Sequence, residues 1–210
     1  IKEIYIPSSV IELKGGFLNG TDYLKKIEIS QNNKHFIYYK NKFILGRKNT
    51  DNDHDYDILI YVHGEFRKLK FPSFIKVIGE KVFSKSDIES IAFTNDSQLE
   101  IIEKSAFSNC EIMKICFPRN LRIIGKKAFY DCEFLTNITF PSDSKLEIIE
   151  KEAFAYNPIK SIEIPSSTKK ICQGAFSYCT RLIKARIQLD SQLEIIEKFA
   201  FEQTLISDFY

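Results

Sequence analysis

Three cysteines share one spacing, and a thiol can ligate zinc or attack as a nucleophile. Cys110, Cys132 and Cys179 each stand three residues after a phenylalanine, respectively Phe107, Phe129 and Phe176. Zinc needs clustered ligands, commonly histidines or a Cys-x-x-Cys pair. The chain has five cysteines and no such pair, and its three histidines, His35, His54 and His63, lie far upstream. The spacing therefore predicts a column of small, buried thiols, with Gly20, Ser86, Asn157 and Thr204 in the same slot elsewhere. Cys116 and Cys172 fall in strand positions. An odd number of cysteines cannot all pair, so neither a disulfide framework nor a metal or other cofactor is expected.

Two other groups invite a chemical reading. In Asp51-Asn-Asp-His-Asp-Tyr-Asp57, carboxylates alternate as they do in calcium loops. Tyr56 stands where an EF-hand needs glycine, and Val62 where it needs glutamate, so this segment reads as a solvated acidic turn. Glu100, Glu147 and Glu194 recur at one repeat position and read as stacked surface charges, not as a tuned acid–base pair. There is no G-x-S-x-G, no glycine-rich phosphate loop and no Ser/His/Asp or Cys/His set at a recognisable strand end. No enzyme is expected. With 30 basic and 28 acidic residues and a net charge of +2, nucleic acid and anionic membrane surfaces are poor partners. No run of 18 apolar residues provides a membrane-inserting segment. Asn19-Gly-Thr21, Asn95-Asp-Ser97 and Asn137-Ile-Thr139 match the glycosylation acceptor pattern, which fits a secreted protein.

The elements that must position these residues form a repeat. QLEIIEKSAFSNCEIMKICFP, from Gln98, is echoed from Leu121, Lys145, Lys169 and Gln192. Its anchor is a phenylalanine, usually after alanine, at Phe17, Phe83, Phe107, Phe129, Phe154, Phe176 and Phe201, with gaps of 66, 24, 22, 25, 22 and 25. Such a period signals a solenoid, in which each unit buries its apolar side on the next. After the anchor comes a run such as Ile88-x-x-Ile91-x-Phe93, whose alternation is that of a strand. Before it comes Leu99-x-Ile101-Ile102, also short and extended in preference. A single turn fits around Ala-Phe, and no long helix fits anywhere.

The pattern Leu-x-x-Ile-x-Phe resembles the core of leucine-rich repeats. A polar residue follows three positions later at Ser9, Asn32, Asp96, Asn120, Asp143, Ser167 and Asp190, with Phe74 the exception. Together with Ala-Phe-x-x-Cys and the Ile-Pro or Phe-Pro strand ends, these features resemble the BspA-like leucine-rich repeats. The resemblance implies a leucine-rich-repeat solenoid, α/β or mainly β. It would be a right-handed coil of roughly eight or nine turns with one parallel strand ladder. Members of that family are largely surface proteins of bacteria and protozoan parasites, implicated in adhesion to host proteins and cells. The expected organisation is one solenoid over 1–210, a segment of a longer array, with a divergent hairpin-like insertion at about 31–66 around Lys40-Asn41, the alternative there being a degenerate coil.

Strand alternation then predicts the outward face. Its first column is Lys26, Lys68, Ser90, Lys114, Asn137, Ser161 and Lys184. Its second is Glu28, Lys70, Ala92, Cys116, Thr139, Glu163 and Arg186. These are the expected partner-binding residues, with Tyr38, Tyr39, Tyr56 and Tyr61 of the insertion as a second candidate. The implied function is a non-enzymatic, adhesin-like module at the cell surface or secreted, recognising protein or glycan. The alternative is a cytoplasmic scaffold assembling proteins through the same face.

Overall fold

The computed structural model describes residues 1–21, 23–47, 55–188 and 190–209. The chain winds as a β-solenoid of about eight turns, with no helix among these residues. Each coil is too frequently interrupted by turns for a helix to nucleate. The post-anchor runs form β1 (Glu3–Ile6), β2 (Lys26–Ile29), β6 (Lys68–Lys70), β8 (Ser90–Ala92) and β10 (Lys114–Cys116). They continue as β12 (Asn137–Thr139), β14 (Ser161–Ile164), β16 (Lys184–Ile187) and β18 (Asp208–Phe209). Pairing among them is parallel and in register, as in Lys114↔Asn137 and Ser161↔Lys184. Prolines such as Pro7, Pro118 and Pro165 close these strands. They lack the N–H a further ladder bond needs, and their carbonyls accept turn bonds from Val10, Leu121 and Thr168.

The solenoid holds a second ladder beyond the one read from the sequence. The pre-anchor stretches pair as β7 (Val77–Ile78), β9 (Ile101–Ile102), β11 (Ile123–Ile124), β13 (Ile148–Ile149), β15 (Lys170–Ile171) and β17 (Ile195–Ile196). These stretches are extended, as their residue types imply, but each has two residues, too short to show the alternation that would mark a second ladder. β5 (Ile58–Val62) joins this ladder in parallel with β7. β3 (Phe36–Tyr39) and β4 (Phe43–Gly46) extend it in antiparallel order, turning at Lys40 and Asn41, both at positive φ.

A third column of backbone bonds runs through the anchor turns. Phe107 N–H donates to Ala128 O at 2.8 Å, Phe129 to Ala153 and Phe154 to Ala175, and the residues two before and two after each anchor do the same. Those flanking residues have positive φ: Ser105 and Asn109, Lys127 and Asp131, Glu152 and Tyr156. Such φ values are uncommon outside glycine. Here they recur in every regular coil. The anchor rings stack along the axis, with centroids 4.9 to 5.4 Å apart and planes within 9° from Phe83 to Phe201. Phe107, Phe129, Phe154 and Phe176 are fully buried.

This geometry corrects the register of the first coil. Its positive-φ pair is Gly16 and Gly20, so the anchor is the buried Leu18, not Phe17. The slot three residues after the anchor is then Thr21, not Gly20. With that change every occupant is a hydrogen-bond donor. Thr21, Ser86 and Thr204 hydroxyls donate to their own anchor carbonyls. Cys132 and Cys179 Sγ donate to the carbonyls of the preceding anchors, Phe107 and Phe154, at 3.0 and 3.2 Å. Asn157 donates to Phe129 O and Phe154 O and accepts from Cys132 N. Burial pushes the Cys179 thiol up to about 12, so it stays protonated, and Cys110 and Cys132 sit 3.7 Å apart as free thiols.

Candidate binding face

The outward columns lie on the post-anchor strands, and alternation places them as expected. In β10, β12 and β6 the central residues Ile115, Ile138 and Leu69 are buried, while Lys114, Cys116, Asn137, Thr139, Lys68 and Lys70 are exposed. Ala92, Ser161, Glu163 and Arg186 are exposed as well, and Ser90 and Lys184 half-buried. These residues share one face from β6 to β16. Lys26 and Glu28 do not join them. β2 pairs with β1 alone and is no neighbour of β6. The two side chains also pair with each other at 2.7 Å.

The electrostatics of this face differ from those of the whole chain. Lys68, Lys70, Lys114, Lys184 and Arg186 are opposed in these columns by one carboxylate, Glu163, which itself accepts from Gln188 at 3.2 Å. Apolar side chains lie just before the strands, with Met113 and Ile183 about half exposed. The face thus offers backbone-level access at Ser90, Ala92, Asn137, Thr139 and Ser161 between cationic ends. Repeat glutamates elsewhere are committed to structure. Glu147 is paired with Arg122 at 2.8 Å and with Lys169 at 3.8 Å, so that column alternates in sign and is not a stack of like charges. Glu103, Glu150 and Glu197 accept from the backbone N–H of Glu80, Lys126 and Gln173 in the preceding coil.

The insertion tyrosines pack inward in part. Tyr39 meets Phe43 and Phe74, Tyr38 donates to His63, and Tyr61 lies against Phe17. All four, with Tyr56, are half-buried. Of the acidic turn, Asp51 to His54 lie outside the described residues. Among the described residues no group of three metal-ligating side chains occurs.

The profile of the BspA type leucine rich repeat region matches in six copies, over residues 60–183 and 100–210. The chain belongs to this family. Its coils superpose on a leucine-rich repeat protein of Eubacterium ventriosum with a TM-score of 0.73, at 20% identity, over 100% of this chain and 60% of that one. They also superpose on the pneumococcal vaccine antigen PcpA with a TM-score of 0.62, at 24% identity, over 75% of this chain and 51% of that protein. The chain therefore spans little more than half the length of either. No curated protein matches the sequence significantly. At these identities the likeness is one of fold. No described helix is long and apolar enough to cross a membrane.

Proposed function

We propose that the chain is a non-enzymatic, protein-binding repeat module displayed at a cell surface or secreted, and that it engages a protein or glycan through the β6–β16 face. The observation that carries this is the concentration of cations on one exposed ladder of an almost neutral chain. A polar partner's backbone can approach the small central residues while its carboxylates meet Lys68, Lys114 and Lys184 at the sides. The surface placement draws on the family and on a neighbour named as a vaccine antigen. The test is capture of partners from intact cells and extracellular protein, identified by mass spectrometry, followed by Lys114→Glu and Lys184→Glu in the same chain. The double reversal should weaken the captured partner by about tenfold or more. Parental affinity in the folded variant would remove this face from consideration.

A further inference from the structure

Regular coils spend 11 or 12 residues between their pre- and post-anchor strands, enough for the anchor turn. The coil of β5 and β6 spends five, from His63 to Arg67. It has no Ala-Phe turn, so one layer of the turn column is missing between Leu18 and Phe83. The two flanking turns touch at one end, where a Cβ on Gly15 would lie 2.5 Å from the Glu80 carbonyl. They diverge toward Gly20, where a Cβ would meet nothing within 4 Å. The opening is a cavity of about 630 Å³ with Tyr61, Val62 and Phe66 among its lining residues.

Its two walls carry the groups that bond elsewhere in the column. In each regular coil the N–H of the anchor and of the residue two after it donate to the next turn, at carbonyls one before and one after that anchor. Here the corresponding donors are Leu18 and Gly20, and the corresponding acceptors are Val82 and Ser84. None of the four is bonded in that way to another described residue. The missing layer is thus presented in negative form: two donors, two acceptors, and an apolar slot between Leu18 and the Phe83 ring.

We propose that this cleft is a second binding site, separate from the β6–β16 face, which takes a loop of a partner protein carrying an aromatic residue after a small one. The loop's backbone completes both sets of hydrogen bonds, as strand addition does at a sheet edge, and its ring continues the phenylalanine stack. The small preceding residue is required because alanine holds that place at Ala106, Ala128, Ala153 and Ala175, each fully buried. The probe is a synthetic peptide of residues 150–157 of this chain, Glu-Lys-Glu-Ala-Phe-Ala-Tyr-Asn, titrated into the whole labelled chain and followed by amide NMR shifts. Saturable shifts are expected at Leu18, Gly20 and Ser84, with at least about tenfold weaker binding by the peptide bearing Phe154→Ala. Ser84→Tyr, which fills the cleft from a half-buried position, should abolish those shifts while leaving the melting transition in place. Shifts confined to residues 198–203 would locate the peptide on the last turn and overturn the proposal. So would equal affinity for the Phe154→Ala peptide, or no saturable shift at all. The mapping on the parental chain decides the matter even if Ser84→Tyr does not fold.

Discussion

From Val77 to Phe201 neighbouring coils are joined throughout by the pre-anchor ladder and the anchor turns, with post-anchor pairing added within β10–β12 and β14–β16–β18. Residues 1–66 hold themselves differently. There the core splits into two clusters. Ile6, Leu18, Leu24, Ile27, Phe36 and Ile44 form one, while Phe43 and Leu45 belong to the long core of the array. β4 is buried along its whole length because its alternate side chains serve the two clusters. The array spreads its stability over many equivalent contacts. The joint concentrates it in one strand and a few polar clasps.

The largest expected effect separates the two regions by packing. Phe129→Ala removes a ring stacked on both sides and should cost about 3–5 kcal/mol of unfolding free energy. Leu18→Ala, whose slot opens onto the cleft, should fall near the lower end of the about 2–5 kcal/mol expected for such truncations. Urea midpoints measure both, and equal losses would erase the distinction. Next come the polar clasps. Asn157→Ala leaves Phe129 O and Cys132 N unpaired and takes one of two donors from Phe154 O, which keeps the Cys179 thiol. Asn33→Ala at the joint removes the side-chain partner of Val10 O, His35 N and Phe36 N, while Pro7 O keeps the Val10 N–H. Each buried group so stranded costs about 1–3 kcal/mol. Thermal melts should show Asn157→Cys recovering part of the loss, because cysteine fills that slot in neighbouring coils, and Asn33→Cys recovering none.

Backbone conformation gives a smaller contrast of opposite sign. Lys127→Gly relieves a left-handed residue and should stabilise by up to about 1 kcal/mol. Gly20→Ala, which meets no steric obstacle, should cost about 1 kcal/mol through φ alone. Chemical denaturation resolves both. The smallest effects are in pH. Arg122 hydrogen-bonds Glu147 and holds its carboxyl below the usual range. Stability from that pair is complete above the unfolded carboxylate value and is lost as the pH falls through the lowered one. Asp57 hydrogen-bonds Lys76 and raises its ammonium above the ordinary lysine value. That contribution is complete below the unfolded lysine value and is lost as the pH rises through the raised one. Glu147→Gln should therefore blunt the acid limb and Lys76→Met the alkaline limb, each by less than about 1 kcal/mol.

The repeat period, the buried phenylalanines and the exposed columns were legible because apolar spacing encodes them directly. Three features were not. The pre-anchor ladder rests on strands of two residues, which carry no period. The first anchor is misplaced by one residue because Phe17 matches the motif's residue type, while the left-handed pair that fixes register sits on two glycines there and elsewhere on residues as varied as lysine, serine, glutamate, tyrosine and phenylalanine. The slot after the anchor looked merely small, and Gly20 hid the fact that every true occupant is a donor. Of the candidate face, exposure and charge followed from alternation. The isolation of Lys26 and Glu28 did not, since it depends on how β3 and β4 route the chain between β2 and β6.

The anchor-turn column has a consequence for how such a chain can change length. Every regular turn presents the same three donors on one side and the same three acceptors on the other, on residues as different as Lys127, Tyr156 and Phe199. The connector is backbone, so the turn column itself does not restrict which coil can follow which. The side chains alternate from coil to coil, as where Glu147 lies between Arg122 and Lys169, so the unit that meets a neighbour it already fits is a pair of coils, one of 22 and one of 25 residues. The joint at β4 has no such freedom. Its two faces are cut to two different cores, so growth by duplication belongs to the array alone.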